Sequence, residues 1–508
     1  MTVPDSNLVD FLLGEKAPEQ IALRLPGRDH TYGEIQSAVE AIAGYLLGIG
    51  VQKGDRGVLV SENSFFWVAA YLGMLRAGVV AVPLPTNVLP DDLDFVLRST
   101  NAQTAFVQVV LASRSRGHFP GIHLVTDRQA PGLPESASQT TLDKICLGDV
   151  TARRLFPPTE KRDLAALMFT SGSTGRPRGV MVSHANIMAN TDSIIQYLQL
   201  SHNDRIMTVL PFHYCFGASL LHTHLRVGGS LVIDPRFMYP EVVLQRMIET
   251  ECTGFAGVPS HFQILLRNSS LRKKTFPHLR YVQQAGGHLA RFFIPQLRES
   301  LPGTQIFIMY GQTEATARLS YLPPELLKRK LGSIGRGIPG VKLQVLDVAG
   351  REIAPGEVGE IVAEGESITQ GYWQDPEETA KSFREGRLYT GDLATVDEDG
   401  FIYVVDRDKD FLKCGGRRIS CRQVEDRLLR FEGVLEVAVI GVPDEVLGEA
   451  IKAFVVPANS EFAELAGRLS VYCKESFPLV MIPRDIVVVP CLPKSSAGKV
   501  LKRDLRTR

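Results

Sequence analysis

Residues 170–179 read Thr-Ser-Gly-Ser-Thr-Gly-Arg-Pro-Arg-Gly. This stretch follows an apolar run at residues 164–169, which predicts a buried strand that leads into a loop. Glycines, hydroxyls and guanidinium groups are mixed in this loop, so its amides and side chains can surround phosphate oxygens. Its spacing does not match the usual P-loop of nucleoside triphosphatases. The composition alone predicts either a polyphosphate site or an ordinary Gly/Ser turn.

Short β-prone runs alternate with amphipathic helical stretches on both sides of this loop. From the loop onward, the predicted strands are residues 164–169, 205–210 and 231–234, and the predicted helices are residues 185–198, 218–225 and 241–249. Before the loop, the predicted strands are residues 58–60 and 79–82, and the predicted helix is residues 66–76. This alternation is typical of βαβ units, so we expect a mostly parallel sheet.

The pattern changes after residue 339 to short strands separated by Gly, Pro and Asp turns, which predicts a small β-rich subdomain. A charged stretch at residues 406–410 then precedes a final block with its own apolar segments. We therefore predict an α/β protein in which residues 1–405 form a large N-terminal domain of mostly parallel α/β layers with the β-rich subdomain. Residues 406–410 are the predicted boundary segment, and residues 411–508 are a small C-terminal α+β domain.

The composition argues against several classes of protein. The 508 residues carry 56 basic and 56 acidic side chains, so charge gives no reason to expect a nucleic acid or a membrane surface as partner. The apolar runs are too short for a membrane span, and the first residues lack the basic and apolar regions of a secretory signal. The seven cysteines have no zinc-site spacing and predict reduced, mostly buried thiols. We expect a cytoplasmic protein that acts on a small molecule.

Several further motifs follow the loop in order. They are Tyr310-Gly311-Gln312-Thr313-Glu314, Gly391-Asp392, Asp406-Arg407 and the segment from Pro493-Lys494 to Gly498-Lys499. Together with the loop, they resemble the signatures of the adenylate-forming superfamily of acyl-CoA synthetases, peptide-synthetase adenylation domains and luciferases. The resemblance covers nearly the whole chain. It implies an AMP-forming acid–thiol ligase that activates a carboxylic acid as its acyl adenylate, releases pyrophosphate and passes the acyl group to a thiol.

The resemblance also implies the residues of the ATP site. Glu314 would hold Mg²⁺ at the ATP phosphates, and Thr313 would offer its hydroxyl to the α-phosphate. Tyr310 would stack on adenine, while Asp392 and Arg407 would bind the ribose. The other nucleotide-binding positions implied are Thr170, Ser171, Gly172, Ser173, Thr174, Gly175, Arg178, Gly286, Gly287 and Gly311. Outside this set of motifs, such residues more often belong to a core, a turn or the surface.

The C-terminal motifs imply a moving domain. Lys499 would reach the α-phosphate and the substrate carboxylate, where a cation stabilises the charge that builds up during adenylation. Lys409 occupies the position of the hinge, and rotation there would bring the thiol to the acyl adenylate. Gly415 and Gly416 would line the path of a pantetheine arm, although a simple β-turn is the alternative.

Two positions depart from the superfamily pattern. Arg178 stands where lysine is usual, and arginine keeps the charge that a phosphate contact needs. Asp406 stands where glycine is usual, so its carboxylate is in a position to form an ion pair with the neighbouring Arg407. The second departure bears on the ribose contact more than on the activity as a whole.

The acid is restricted by a few residues after the loop. His213 resembles the aromatic gate of the acyl pocket in acyl-CoA ligases. Cys215 stands where amino-acid-activating relatives place an aspartate, so a substrate ammonium would lack its counter-ion. Arg318 favours a polar or acidic acyl group if it approaches the pocket, and a surface role is the alternative. The acid itself and the oligomeric state are not specified by the sequence.

Coenzyme A is the expected thiol, and the phosphopantetheine of a separate acyl-carrier protein is the alternative. In that case the protein would be a stand-alone adenylation enzyme that loads an acyl or amino acid onto the carrier. A luciferase-like oxidative enzyme would share every motif and differ in its pocket. A catalytically inactive binding protein is a weaker alternative, because both Glu314 and Lys499 are present.

Overall fold

The computed structural model describes residues 7–112, 119, 121–129, 139–148, 156–171, 177–407, 411–414, 417–445, 447–458, 462–494, 498 and 500–506. The helices of this part are α1 (Leu8–Leu13), α2 (Tyr32–Gly48), α3 (Phe65–Arg76), α4 (Pro90–Thr100), α5 (Val109–Ala112), α6 (Leu142–Leu147), α7 (His184–Leu198), α8 (Cys215–Val227), α9 (Pro240–Glu249), α10 (Pro259–Arg267), α11 (Phe293–Ser300), α12 (Pro376–Ser382), α13 (Cys421–Leu428), α14 (Phe462–Ser476) and α15 (Lys502–Leu505).

The strands are β1 (Ile21–Leu25), β2 (Arg28–Thr31), β3 (Arg56–Val60), β4 (Val80–Leu84), β5 (Thr104–Val107), β6 (His123–Thr126), β7 (Gln139–Thr141), β8 (Leu164–Ser171), β9 (Pro177–Ser183), β10 (Arg205–Thr208), β11 (Ser230–Ile233), β12 (Gly254–Gly257), β13 (Tyr281–Gln284), β14 (Gln305–Tyr310), β15 (Ser320–Leu322), β16 (Arg336–Gly337), β17 (Val341–Leu346), β18 (Gly359–Gly365), β19 (Phe383–Arg384), β20 (Arg387–Val396), β21 (Ile402–Arg407), β22 (Phe411–Cys414), β23 (Arg417–Ser420), β24 (Val434–Asp444), β25 (Gly448–Pro457) and β26 (Asp485–Val488).

The first large sheet has the strand order β7-β6-β5-β3-β4-β8-β9. Its neighbours are parallel except for β8 and β9, which form an antiparallel hairpin. The expectation of a mostly parallel sheet misses this hairpin, because the short 170–179 loop leaves no room for the crossover that a parallel pair requires. β4 is buried along its whole length, as expected for a strand covered on both faces.

The second large sheet has the order β16-β15-β14-β13-β12-β10-β11-β1-β2. Its central strands are parallel, and antiparallel pairs occur at its two edges, β1 with β2 and β14 through β16. One core cluster contains residues of both large sheets together with α7 and α8, including Ala81, Ile194, Leu220 and Leu231. The carboxyl ends of parallel strands and the helices between the sheets therefore frame the region where ligands bind in such folds.

Two smaller sheets complete the described residues. β17, β18, β20, β19 and β21 form the predicted β-rich subdomain, and β22 through β26 form the sheet of the C-terminal part, with α13 and α14 in the same region of the chain. The predicted α/β class with a large N-terminal domain and a small C-terminal domain is confirmed. The limits of the domains at residues 405 and 411 remain predictions.

The C-terminal part contacts the large domain through polar groups and shares a buried apolar cluster with it. Arg267 Nη2 donates to the Leu429 carbonyl at 2.6 Å, and His288 Nε2 lies 3.0 Å from Asp426 Oδ2. At the end of the chain, a Cβ added to Gly498 would lie 3.3 Å from Val258 Cγ2, on the loop between β12 and α10. The segment that contains Gly498 is thus held against the large domain.

Candidate active site

The 170–179 loop connects β8 to β9, and the hairpin places Thr170 opposite Arg178 in register. The side chain of Ser171 and the predicted phosphate-binding residues Gly172, Ser173, Thr174 and Gly175 lie outside the described residues. Their contact with phosphate therefore remains a prediction. The described flanks nevertheless hold the two ends of the loop together, as a phosphate-binding hairpin requires.

Arg178 forms ion pairs within the protein. Its Nη2 lies 3.2 Å from Glu378 Oε2, and its Nε lies 3.7 Å from Asp375 Oδ2. Its Cζ lies 5.8 Å from the centre of the Tyr372 ring. The guanidinium therefore contacts acidic residues at α12 and the ring of Tyr372. Its contact with phosphate stays a prediction.

The Tyr310 signature forms a tight turn at the end of β14. Gly311 is required there, because a Cβ at this position would lie 2.0 Å from the Ala317 carbonyl oxygen. A short 3₁₀ turn at Thr313–Ala315 follows and presents Thr313 and Glu314 one after the other. The Thr313 hydroxyl lies 3.5 Å from the sulfur of Cys215 at the start of α8. The signature thus meets the region that the sequence predicted as the acyl pocket.

Glu314 is positioned by two residues that the sequence did not single out. Tyr372 Oη donates to Glu314 Oε1 at 2.9 Å, and Thr369 Oγ1 donates to the Glu314 carbonyl, also at 2.9 Å. Across the described residues there is no cluster of three or more side chains that could hold a metal by themselves. Mg²⁺ commonly binds through one or two carboxylates plus phosphate oxygens and water. Glu314 is the residue that would supply the carboxylate.

The predicted adenine and ribose residues come together. Tyr310 Oη donates a 2.6 Å hydrogen bond to Asp392 Oδ2. Asp392 on β20 stands directly opposite Arg407 on β21 in the antiparallel register. The Arg407 side chain is outside the described residues, but its backbone places the two predicted ribose residues next to each other.

Asp406, the second departure from the superfamily pattern, contacts the C-terminal part. Ser420 Oγ donates to Asp406 Oδ2 at 2.7 Å, and the Asp406 side chain is buried. The predicted ion pair between Asp406 and Arg407 remains a prediction, because the Arg407 side chain lies outside the described residues.

Gly286 and Gly287 lie beside the loop that leads into α10. Gly286 has a φ of +81°, and a Cβ added there would lie 3.0 Å from Val258 Cγ1. The same valine lies next to Gly498, so the end of the chain is adjacent to the Gly286 region. Lys499, the hinge residue Lys409, and Gly415 and Gly416 are outside the described residues, and their roles remain predictions.

A cavity lies between α7, α8 and the first large sheet. Cys215, Ser219 and His222 line it from α8, and Asn190 and Thr191 line it from α7. Thr316 and Ala317, just after Glu314, line it as well. The remaining described lining is mostly apolar, including Met168, Val182, Ile187 and Phe212. A mostly apolar cavity with a few polar groups, beside a predicted nucleotide site, is typical of a small-molecule pocket.

His213 and Arg318 were predicted at this pocket. His213 is half-buried, and burial lowers its pKa to about 4, so the ring is neutral near pH 7. The lining includes its neighbours Phe212 and Cys215 but not His213, whose gate role remains a prediction. The alternative surface role of Arg318 is wrong, because this side chain is 1% exposed and its Cζ lies 3.9 Å from the Phe216 ring centre. Its Nε and Nη2 have no hydrogen-bond partner in the described part of the chain.

Comparison with known protein families decides the assignment. Residues 13–373 match the AMP-binding enzyme family, and residues 423–499 match the C-terminal domain of the AMP-binding enzymes. The chain belongs to the AMP-binding enzyme family. The predicted superfamily and the prediction of an AMP-forming acid–thiol ligase are confirmed.

This AMP-binding enzyme resembles several characterised relatives along nearly its whole length. It is 31% identical to a feruloyl-CoA synthase of Amycolatopsis sp, over 97% of this chain and 96% of the relative. It is 30% identical to a long-chain-fatty-acid–CoA ligase of Salmonella typhimurium, over 94% and 90%. Among solved structures, an anthranilate CoA ligase in complex with anthranoyl-AMP matches with a TM-score of 0.87 and 26% identity, over 99% and 96%. The o-succinylbenzoate CoA synthetase of Bacillus subtilis, with its acyl-adenylate intermediate, matches with a TM-score of 0.85 and 26% identity, over 99% and 98%.

Other predictions have mixed outcomes in this AMP-binding enzyme. All seven cysteines are thiols, and five of them are buried, as expected. No helix in the described residues is long and apolar enough to cross a membrane.

The sequence missed His222, although its spacing from Cys215 and Ser219 on a predicted helix was a usable signal. It also missed Tyr372, for which no local signal exists because this residue is far from Glu314 along the chain.

Proposed function

We propose that this enzyme is an acyl-CoA ligase that converts a carboxylic acid, ATP and coenzyme A into an acyl-CoA, AMP and pyrophosphate through an acyl adenylate. The observation that carries the proposal is the junction of Thr313 with Cys215. The hydroxyl predicted to face the α-phosphate lies 3.5 Å from a sulfur that lines the cavity. An acid in this cavity would present its carboxylate to the ATP phosphates.

The first half-reaction forms a bond between the carboxylate oxygen of the acid and the α-phosphorus of ATP and releases pyrophosphate. The Thr313 hydroxyl donates to a phosphate oxygen, and Lys499 adds a positive charge as negative charge builds up on the phosphate. Glu314 would hold Mg²⁺, which would neutralise charge on the ATP phosphates. The largely buried cavity walls keep water away from the reactive acyl adenylate.

The second half-reaction transfers the acyl group to the sulfur of the thiol and releases AMP. We propose that the C-terminal part rotates near Lys409 and brings Gly415 and Gly416 to the pantetheine path. In the present arrangement this part is held by the polar pairs Arg267 with Leu429 and His288 with Asp426 and by a shared apolar cluster, so the rotation would have to break both kinds of contact.

Coenzyme A is the proposed thiol, and we place the reaction in the cytoplasm. The support for coenzyme A comes from relatives of matching length, which are named as a feruloyl-CoA synthase and as long-chain-fatty-acid–CoA ligases. Structural neighbours are likewise named as CoA ligases of anthranilate and of o-succinylbenzoate. A carrier protein in place of coenzyme A remains the competing thiol.

The acid is proposed to lack an α-ammonium group. The lining of the cavity, as far as the structure describes it, contains no Asp or Glu side chain. Cys215 occupies the position at which a carboxylate was expected in amino-acid-activating relatives. A buried ammonium would lose several kcal/mol of hydration without compensation at this site.

The test is to incubate the enzyme with Mg-ATP and a panel of acids, with either coenzyme A or a holo acyl-carrier protein as the thiol. Mass spectrometry then identifies the thioester. We expect an acyl-CoA and AMP in equal amounts, and no thioester from α-amino acids. Acylation of the carrier protein without any acyl-CoA would overturn the choice of thiol. Pyrophosphate release without a thioester on either thiol would overturn the second half-reaction.

A further inference from the structure

We infer that the far end of the acyl cavity recognises a hydroxyl group, so that the substrate class is a hydroxylated acid of about phenylpropanoid length, such as a hydroxyaryl acid. Tyr71 and His222 form this end of the cavity. The inference rests on the proposed function, because it assigns the acyl group of that reaction.

The positions of Cys215 and His222 along α8 indicate the length of the acyl group that the cavity accepts. Cys215 marks the near end, since it contacts Thr313. His222 is seven residues further along the same helix, and both side chains line the cavity. A rise of 1.5 Å per residue places the two positions roughly 10 Å apart. The acyl group therefore extends about this far from the carboxylate before it meets His222.

The cavity ends in packed aromatic rings. The Tyr71 ring lies 4.9 Å from the Trp67 ring and 5.8 Å from the His222 ring, measured between centroids. Trp67 also packs on Phe212 at 5.1 Å, and none of these four residues is more than 4% exposed. A long alkyl chain would have to displace this stack to continue. The flat rings instead suit an aryl group of limited length.

The Tyr71–His222 pair has hydrogen-bonding capacity to spare. Tyr71 Oη lies 3.1 Å from His222 Nε2. Burial lowers the pKa of His222 to about 3, so the imidazole is neutral and carries one N–H. The pair thus has two polar hydrogens, one on each residue, and only one of them lies between Tyr71 and His222. In either tautomer, the other hydrogen is available to donate to an oxygen of the substrate.

Asn190 supplies the complementary acceptor. Its Nδ2 donates to the Arg318 carbonyl at 3.0 Å, which fixes the orientation of the amide. Its Oδ1 is buried and has no hydrogen-bond partner within the described residues, and Asn190 lines the same cavity. A buried acceptor without a donor costs free energy that a bound hydroxyl would recover.

The experiment compares acids that differ only in this hydroxyl. The kcat/KM for acyl-CoA formation is measured with para-hydroxycinnamate, cinnamate and palmitate. We expect the hydroxylated acid to exceed cinnamate by roughly tenfold or more, because polar groups of the site stay unpaired when the hydroxyl is missing. Palmitate is expected to be the poorest of the three.

The variant Tyr71→Phe keeps the ring and removes one of the two hydrogens. It is expected to reduce the ratio between the hydroxylated acid and cinnamate to about one third or less of the wild-type ratio. The matched control is Tyr281→Phe, which removes the hydroxyl of another buried tyrosine–histidine pair, 3.0 Å from His224 Nε2 and outside the cavity lining. This control should leave the ratio as in the wild type. Thermal unfolding of both variants shows whether a loss of stability is responsible.

The outcomes separate the inference from the proposed function. If acids are activated but the hydroxyl has no effect, or palmitate is preferred, the inference is wrong while the ligase activity stands. If Tyr71→Phe and Tyr281→Phe lower the ratio equally, the assignment to Tyr71 is wrong. If no acid of a broad panel supports pyrophosphate release, the proposed function itself fails.

Discussion

The hydroxyl of Thr313 lies 3.5 Å from the sulfur of Cys215, which joins the nucleotide signature to the acyl cavity. Thr313 follows β14 in the large domain, and Cys215 begins α8. We therefore expect Thr313 to contact the nucleotide and Cys215 to contact the acid, although the two side chains touch each other. Substitution on the Cys215 side should affect the acid, and substitution on the Thr313 side should affect the nucleotide.

The first prediction concerns Cys215→Phe. The larger side chain fills the near end of the cavity, so the KM for the acid should rise by about tenfold or more while the Kd for AMP stays unchanged. Steady-state kinetics and calorimetric AMP binding measure the two quantities. Cys215→Ala is the matched control and should leave both close to wild type. Equal weakening of acid and AMP binding in Cys215→Phe would argue against the separation of the two sites.

The second prediction concerns Glu314→Gln. The amide keeps the size of the side chain but removes the charge that would hold Mg²⁺, so pyrophosphate release should fall by about 100-fold and require more Mg²⁺. Tyr372→Phe removes only the hydrogen bond to Glu314 Oε1 and should cost much less. Titration of activity with Mg²⁺ distinguishes the two. A Glu314→Gln enzyme with wild-type Mg²⁺ dependence would contradict the assigned role.

The third prediction concerns Tyr310→Phe. This change keeps the ring for stacking but removes the 2.6 Å hydrogen bond to Asp392. The KM for ATP should rise by about tenfold, with the KM for the acid unchanged, because a charge-assisted hydrogen bond orients the ribose-binding carboxylate. Tyr389→Phe, on the same strand as Asp392, is the control. The assigned role of Tyr310 is wrong if Tyr310→Phe and Tyr389→Phe change the KM for ATP by the same factor.

The fourth prediction concerns the pH dependence of stability. The Leu8 amide donates to His184 Nδ1 at 3.1 Å, and burial lowers the pKa of His184 from 6.5 to about 4. Between these values the unfolded chain binds a proton that the folded chain does not. The free energy of unfolding is therefore expected to fall as the pH drops from 6.5 to 4, by up to about 1.4 kcal/mol per pH unit for this group.

The variant His184→Asn isolates this contribution. Its amide oxygen can still accept from the Leu8 amide, but the side chain no longer titrates. Denaturant unfolding at several pH values should show a slope smaller by about one proton over this range. An unchanged slope would mean that His184 does not titrate between the folded and unfolded states as described.

The sequence predicted the main elements because their signals are local. The helix that begins after Ser64 and the buried strand β4 follow from a cap residue and from a continuous apolar run. The antiparallel pairing of β8 with β9 was missed, since the direction of a strand depends on how its neighbours connect. The alternating pattern alone does not report that direction.

The residues of the candidate site also divide into those with a local sequence signal and those without one. Tyr310, Asp392 and Glu314 were found through motifs that resemble a known superfamily. Tyr372 and Asn190 were missed because they reach the site only through the packing of distant segments. The pairing of Tyr71 with His222 joins α3 to α8 across 151 positions of the chain, and no spacing rule predicts such a contact.

The most direct test of the central claim is acid-dependent exchange of labelled pyrophosphate into ATP, in the presence of Mg²⁺ and without any thiol. The wild type should catalyse exchange with at least one class of carboxylic acid, and Lys499→Ala should lower the rate by about 100-fold or more. Lys494→Ala, on the same C-terminal segment but paired with Glu436 at 2.6 Å, should retain the exchange. Exchange that is equally fast in Lys499→Ala, or absent with every class of acid, would contradict the adenylation mechanism.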